Sequence, residues 1–392
     1  MNTPTKSALR AASPKPKQPV HSNGIEVPLC SSAPPQLPPL PATISHDQAH
    51  AIITGAHKWV NGTILHYYFF NDPNHDFSDV EQADRTKVRQ SWIGDKVQQD
   101  VVRGAFEEWK ALGIGLEFVE VQHREEAEIR IGFLASDGSW SYIGDEILQR
   151  STAERTMNFG WDLRTLYGHC TALHEIGHTL GLPHEHQSPF SGIVWNEKKV
   201  YKYFSGPPNN WKRDVIKSNI LDSLSPSLVR GSTWDHDSIM QYQFQPGIVK
   251  SPKPYDTTGI YPRSQSAPIG NQFSDADINW VKQFYPPMDD RMPLLKVGES
   301  QPLDIQNGEQ LNFAISPTET RNYEIQTRGK SDVLFVLFEE ENGVPRFRAA
   351  DDDSGEERNA YLRFKLVRDR QYVLRVRLKY RQTGPPPVVI MW

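Results

Sequence analysis

The chain has 392 residues, a formal net charge of −5 and 37% hydrophobic residues, which is enough for two or three domains with cores of their own. No predicted domain is strongly basic, so a nucleic-acid partner is not expected. No run of about 18 to 20 apolar residues predicts a membrane span. Two cysteines, Cys30 and Cys170, cannot form a disulfide framework, although a single bridge and two free thiols both stay open.

Residues 1–50 are rich in Pro, Ser and Lys and show no hydrophobic period. Such a segment cannot bury enough apolar surface to offset the entropy of ordering, and we predict a disordered tail or pro-segment. The first residues also lack the run of about 7 to 15 apolar residues that makes a secretory signal. The export route, if there is one, is therefore not apparent.

Residues 51–288 carry the periodicities of a mixed α and β domain. The predicted strands are 64–70, 115–121, 127–135 and 156–161, and the predicted helices are 95–112, 166–180 and 274–285. The apolar stripe of the first helix comprises Val97, Val101, Val102, Ala105, Phe106 and Trp109. Residues 187–270 are rich in Pro, Asn and Ser and predict irregular structure around a core.

Residues 293–392 have a different character, with strand-like runs at 332–340, 361–369 and 372–380. In the last run Arg375, Arg377 and Lys379 alternate with apolar residues, which is the two-residue period of a strand with two unlike faces. We therefore predict a separate, small antiparallel β-sandwich domain.

The segment "HEIGHTLGLPHEH", residues 174–186, carries the chemistry. On a helix, His174 and His178 lie on one face one turn apart, so both rings can bind one ion, and two imidazoles at this spacing suit zinc. Glu175 lies about 100° round the helix from His174. That offset keeps its carboxylate off the metal and near a bound water, where a general base is needed.

Gly181 and His184 extend the motif to HExxHxxGxxH. A glycine can turn the chain out of the helix in a left-handed conformation, after which His184 can return as a third ligand. Three protein ligands leave a position open for water, which is typical of catalytic and not of structural zinc. The pattern predicts one catalytic Zn²⁺.

With these residues the sequence resembles the metzincin metalloproteases, and within them the astacin family. Met240 in "DSIMQY" resembles the methionine of the turn beneath the metal, Glu185 the glutamate after the third ligand, and Tyr242 the tyrosine after that turn. The resemblance spans most of residues 51–288. Two features depart from it: Gln241 stands where astacins usually have histidine, and the paired disulfides of the family are absent.

The resemblance implies an α+β catalytic domain, with a twisted mixed sheet plus helices and zinc in the cleft. It implies an endopeptidase acting on proteins or peptides, with a zinc-activated water and Glu175 as general base. Tyr242 is then either a mobile ligand whose hydroxyl stabilises the oxyanion or an aromatic that packs beneath the site. Glu185 pairs either with a mature N-terminus or with a buried polar group. Strand 156–161 is expected at the sheet edge, where an extended substrate adds as a further strand.

The resemblance also suggests an extracellular, monomeric enzyme. Residues 293–392 resemble pre-peptidase C-terminal domains, and their "DDDSG" turn, Asp351 to Asp353, is either a Ca²⁺ site or a solvated acidic turn. His186 is expected in a layer behind the ligands or on the surface. Cys170 is expected to be a small core residue.

Cys30 has two interpretations. A thiolate from the tail could occupy the open zinc position and keep the enzyme latent, or Cys30 could be an idle thiol.

Two rival functions remain. A retired protease scaffold would use the same fold as a protein-binding module, but it would have no reason to keep Glu175 beside three intact ligands. A metzincin outside the astacin group is disfavoured by Glu185 and Tyr242.

Overall fold

The computed structural model describes residue 30 and residues 58–71, 92–207, 209–224, 233–288, 292–306, 309–341 and 344–392. The predicted disordered tail therefore lies outside the described residues, apart from Cys30. No helix within the described ranges is long and apolar enough to cross a membrane.

The N-terminal part combines a small sheet with helices packed against it. Its strands are β1 (Ile64–Phe69), β2 (Glu117–Glu120), β3 (Ile129–Gly132), β4 (Trp140–Ser141), β5 (Met157–Asn158), β6 (Val194–Trp195) and β7 (Val249–Ser251). Its α-helices are α1 (Lys96–Ala111), α2 (Leu166–Thr179), α3 (Glu197–Phe204), α4 (Arg213–Ile216), α5 (Tyr255–Thr258) and α6 (Asp275–Phe284). The three long predicted helices are confirmed, with ends within a residue or two.

Helix α1 could be predicted because its capping residue and its apolar stripe are both local features of the sequence. The side chain of Asp95 caps its first turn, and Val102, Ala105, Phe106 and Trp109 are buried on one stripe. Val97, which the stripe also predicted to be buried, is 54% exposed. It lies in the first turn, where the helix extends beyond the edge of the core.

The main sheet has the strand order β2-β1-β3-β5-β4. Its pairs are parallel except for β4, which runs antiparallel to β5. The predicted position of strand 156–161 is therefore wrong: β5 is an interior strand, and β4 forms the edge. Strand β4 was not predicted, because a two-residue strand is too short to show a hydrophobic period.

The C-terminal part is all β. Its strands are β8 (Ser300–Pro302), β9 (Gln310–Ile315), β10 (Arg321–Arg328), β11 (Asp332–Glu341), β12 (Val344–Asp351), β13 (Tyr361–Leu366), β14 (Gln371–Tyr380) and β15 (Val388–Met391). They form two antiparallel sheets, β13-β10-β15-β8 and β12-β11-β14-β9, around a core of their own. The α+β class and the β-sandwich are confirmed.

The outer face of β14 is not a solvent face. Arg375 and Arg377 are only 4% and 6% exposed, because this face packs against the segment that enters β1. The guanidinium of Arg377 donates to the carbonyl of Lys58. The amide of Gln310 bonds both backbone groups of Asn61, at 2.8 and 2.9 Å. The strand alternation predicted two unlike faces, but it could not show that the charged one is covered.

Candidate metal centre

Helix α2 positions the first two predicted ligands and the predicted base. Thr165 caps the helix by accepting a hydrogen bond from the N–H of Gly168 at 3.0 Å. His174, Glu175 and His178 are all buried, and the two imidazole centroids lie 4.7 Å apart. The helix thus presents both rings from one face, as the i, i+4 spacing predicts.

The chain leaves α2 through Gly181, whose φ of +87° confirms the predicted left-handed turn. The next residue has a second role, because the carbonyl of Leu182 accepts the Nδ1–H of His178 at 2.7 Å. Beyond the turn, the buried ring of His184 reaches the same space as the two helix histidines. A short loop therefore supplies the third ligand and orients the second.

The ring nitrogens converge in a way that fits a cation. The Nδ1–H of His174 donates to the carbonyl of Ile239 at 2.8 Å, and His178 is held similarly by Leu182, so both Nε2 lone pairs point inward. The Nε2 atoms of His178 and His184 are only 3.0 Å apart. At this distance either one ring donates an N–H to the other or both direct lone pairs at a cation between them. Three imidazoles that converge in this way are a zinc donor set.

Burial keeps these rings neutral. It lowers the pKa of His174 to about 4, and it lowers the pKa values of His178 and His184 well below the usual value for histidine. Neutral imidazole is the form that binds a metal. The cluster is therefore in the protonation state of a ligand set at neutral pH.

Glu175 lies beside the cluster without a structural task. Its side chain is fully buried, and burial raises the pKa of its carboxyl to about 8. Within the described parts of the chain, Oε1 has no hydrogen-bond partner. Oε2 accepts a long contact from the Cys30 thiol at 3.5 Å. A cation bound at the neighbouring histidines would favour the ionised form of this carboxyl, whose free oxygen can then accept a proton from a reacting group.

Cys30 lies in the centre of this site, 144 residues before the first ligand in sequence. Its Sγ atom lies 3.7 Å from Nε2 of both His178 and His184, and it joins the three histidines as a fourth potential ligand, all ligand atoms being within 4.8 Å of one another. Its backbone carbonyl accepts a hydrogen bond from the hydroxyl of Tyr242. Both cysteines are free and buried, so the one-bridge alternative is wrong in this structure.

Met240 lies under the helix, as the resemblance implies. A Cβ on Gly177 would come within 2.4 Å of its sulfur, so the methionine fits only because residue 177 has no side chain. The carbonyl of Met240 accepts the N–H of Glu185 at 3.0 Å. Asp277 fixes the turn from the other side, accepting from the Ser238 hydroxyl at 2.6 Å and the Ile239 N–H at 2.8 Å.

Glu185 has a partly buried polar partner. Its Oε1 accepts from the backbone N–H of Asp235 at 2.9 Å, and burial raises the pKa of its carboxyl to about 8. This contact corresponds to the second of the two predicted alternatives. Whether a mature N-terminus joins it lies outside the described residues.

Two further predictions concern neighbours of the ligands. His186 is 1% exposed, does not belong to the ligand cluster, and stacks on Tyr242 at 4.7 Å between ring centroids. It is a packing residue behind the ligands, and the surface alternative is wrong. Cys170 is a buried core residue whose thiol contacts the Ser264 carbonyl at 3.2 Å.

The acidic turn of the sandwich does not assemble a calcium site in the described residues. Asp351 caps its own turn, accepting from the N–H of Ser354 and from the N–H of Tyr361. Asp352 pairs with Lys379 at 2.9 Å. Asp351 and Asp352 thus have local partners, and the histidine and cysteine cluster is the group that could hold a metal among the described residues.

Sequence reasoning missed the residues that hold the ligands in place. Gly177, Leu182 and Ile239 act through backbone atoms or through the lack of a side chain, so their residue types carry no signal. Asp277 carried one, because it is the third residue of a capping box with Ser274 at the start of α6. The motif explained it as a helix cap and gave no hint of the turn it also binds.

Comparisons with known proteins agree with this geometry. The family model "Astacin (Peptidase family M12A)" matches residues 91–286, which is half of the chain. No curated protein matches.

Several solved structures show some likeness, among them the following three. Two structures of myroilysin are each 26% identical and cover 60% and 59% of this chain, and 99% and 87% of their own, with TM-scores of 0.48 and 0.40. The pre-peptidase C-terminal domain of a collagenase from Bacillus anthracis is 12% identical over 27% of this chain and 98% of its own, with a TM-score of 0.21. The assignment rests on the family model and not on these scores. The chain belongs to the astacin family of zinc-dependent peptidases and is a metallopeptidase of the metzincin clan.

Proposed function

We propose that the protein is a zinc-dependent endopeptidase that hydrolyses internal peptide bonds, with Glu175 as general base. The observation that carries the proposal is the buried carboxyl of Glu175, with a free oxygen, next to three converging imidazole rings. A binding module on a retired scaffold would not need this carboxyl. Membership of a peptidase family also argues against that rival.

His174, His178 and His184 would hold the zinc, which supplies Lewis-acid activation of water and of the scissile carbonyl. Glu175 takes the proton of the attacking water and passes it to the leaving amine. Each proton then ends on the new amine or carboxyl group. Because the base is buried, bulk water does not compete for this proton.

Tyr242 is proposed to stabilise the oxyanion. Its hydroxyl donates to the main-chain carbonyl of Cys30, so it can donate to a peptide carbonyl at this position. Its ring also packs on His184, with 4.3 Å between ring centroids. The packing contact and the donor role are compatible, because the ring fixes where the hydroxyl points.

We place the substrate backbone along β4, the edge strand that replaces the predicted one. An edge strand offers unpaired N–H and C=O groups to which an extended peptide can add. Backbone pairing does not require a chain end, which favours internal cleavage. We further propose that residues 51–288 and 293–392 are separate domains and that the enzyme is monomeric.

We also propose that Cys30 holds the enzyme latent. Its sulfur is positioned as a fourth ligand, and thiolate is a strong zinc ligand. Its backbone carbonyl accepts the hydrogen bond that the Tyr242 hydroxyl donates. The same residue therefore blocks both the open metal position and the group that would receive the substrate carbonyl.

The general base is tested with Glu175→Gln in a zinc-loaded Cys30→Ser chain. We expect zinc to be retained at one equivalent by elemental analysis, while peptide cleavage falls by about 100- to 10,000-fold. Glu108→Gln is the matched control and should stay active. Glu108 lies on α1 and pairs with His169. Undiminished cleavage by Glu175→Gln would contradict the mechanism.

Latency is tested by comparing four zinc-loaded proteins. The full chain and Cys170→Ser should be inactive, whereas Cys30→Ser and a chain starting at residue 51 should cleave peptides. Cys170→Ser controls for loss of a buried thiol elsewhere. Equal activity of all four proteins would remove the proposed role of Cys30.

A further inference from the structure

A cavity opens directly beside the metal cluster. It is partly open to solvent, and it adjoins His174, Glu175 and Tyr242. Cys30 is one of the residues that line it, and its carbonyl accepts a hydrogen bond from the Tyr242 hydroxyl. A peptide backbone that follows the path of Cys30 would therefore direct a neighbouring side chain into this cavity.

The walls away from Glu175 are uncharged. They are formed by residues such as Cys170, Thr171, Ile239, Gln243, Ser264 and Gln265. No Lys, Arg or Asp is found among the described residues that line the cavity. An acidic side chain would thus meet no cation there, and a basic one no carboxylate beyond the catalytic base.

Most polar groups of the walls already have partners. The hydroxyl of Thr171 donates to the Tyr167 carbonyl at 2.9 Å and accepts from Trp161 at 3.0 Å. In contrast, the amides of Gln243 and Gln265 make no side-chain hydrogen bond within the described parts of the chain, and both are partly exposed. These two amides can serve a ligand as donors or acceptors without breaking a bond of the fold.

We infer that this cavity selects an uncharged side chain, with Gln243 and Gln265 as specificity-determining residues, at one of the two substrate residues that flank the scissile bond. The inference rests on the proposed peptidase function. A charged side chain would exchange its hydration for neutral amide partners, with no opposite charge among the described wall residues other than Glu175, which disfavours it by about 10-fold or more. A neutral side chain has no such loss, and an amide or hydroxyl can bond the two glutamines.

Cleavage of a proteome-derived peptide library by the zinc-loaded Cys30→Ser chain, with mass mapping of the cut sites, tests this inference. We expect Asp, Glu, Lys and Arg to be depleted about 10-fold or more at one flanking position. Gln265→Lys should admit Asp and Glu at that same position, and Gln265→Glu should admit Lys and Arg. Ser266→Lys adds the same charge one residue away, at an exposed position outside the cavity, and should leave the profile unchanged.

Gln243→Lys repeats the test from another element, in case substitution of Gln265 prevents folding. The inference is overturned if charged residues are accepted equally at both flanking positions, or if the folded lysine variants leave the profile unchanged.

A binding measurement separates this inference from the proposed function. The zinc-loaded Cys30→Ser/Glu175→Gln chain is titrated with short peptides that differ only in Gln or Glu at the flanking position. About 10-fold tighter binding of the Gln peptide supports the cavity assignment even if no chain cleaves. Equal affinities would overturn it even if cleavage is confirmed.

Discussion

The three histidines of the metal cluster and the two arginines of the sandwich contact are basic side chains with almost no exposure to solvent. Burial lowers the pKa of His174 to about 4, so the histidines give up their protons and become ligands. Burial lowers the pKa of Arg375 to about 10, which still leaves the guanidinium charged at neutral pH. The same desolvation therefore produces a metal site in one region and a charged contact in the other.

The arginines have to be stabilised as cations. Arg377 donates to the Lys58 carbonyl, whereas Arg375 lies 4.1 Å from the centroid of the Phe338 ring. Nε and Nη1 of Arg375 have no hydrogen-bond partner in the described residues. A buried basic side chain can thus become a metal ligand when, like histidine, it loses its proton readily. An arginine keeps its proton, so its buried charge has to be stabilised by the carbonyls and aromatic rings that lie around it.

The largest effect is expected at the histidine cluster. His178→Ala in the Cys30→Ser chain removes a ligand, so zinc should be lost and peptide cleavage should fall by more than about 100-fold. His169→Ala, on the same helix but outside the cluster, should keep both. Zinc content and cleavage rate are measured together, and zinc binding by His178→Ala at normal affinity would contradict the ligand assignment.

Burial shifts the pKa of an acidic side chain in the opposite direction, as Asp277 shows. Burial raises the pKa of Asp277 from its usual 3.8 to about 6. The unfolded chain therefore releases this proton first, and the stability that Asp277 contributes below about pH 4 is lost as the pH rises through 6. We expect the free energy of unfolding of the wild type, relative to Asp277→Asn, to fall by about 2 to 3 kcal/mol between pH 4 and pH 7.

Denaturant unfolding across this pH range measures the difference. Asp275→Asn, in the same helical turn but exposed, should give a curve parallel to the wild type. If the Asp277→Asn and wild-type curves were parallel as well, the burial of Asp277 would not set its pKa.

Arg377→Met tests the arginine that has a carbonyl partner. The carbonyl of Lys58 would lose its donor, so the free energy of unfolding should fall by about 2 kcal/mol. Arg363→Met, an exposed arginine of the sandwich, should change it by less than about 0.5 kcal/mol. A loss no greater than that of Arg363→Met would mean that the contact between β14 and Lys58 contributes nothing.

Arg375→Met gives the smallest expected change, with the reverse sign. Methionine keeps the packing on Phe338 and removes a buried charge with two unpartnered nitrogens, so stability should rise by about 1 kcal/mol. Denaturant unfolding measures this change in the free energy of unfolding. Destabilisation equal to that of Arg377→Met would show that the ring contact alone compensates the buried guanidinium.

Much of the fold and site could be predicted because the signals were local. Helices α1, α2 and α6 were found from their periods and caps, since both depend on residues within one or two turns. The strand β4 and the burial of Arg375 could not be found in this way. A two-residue strand is too short to show a period. The alternation along β14 does not indicate which segment of the chain covers its second face.

The sequence by itself predicted His174, His178 and Glu175, because helix geometry fixes where residues at positions i, i+1 and i+4 point. It predicted Gly181 and His184 from the extended spacing of the motif. It also named Met240, Tyr242 and Glu185 through the family resemblance. Only the tertiary structure decided that Cys30 reaches the cluster, that Gly177 makes room for Met240, and that Asp277 binds the turn beneath the metal. These contacts join segments far apart in the chain, and their geometry follows from the packing of the whole core and not from any local spacing.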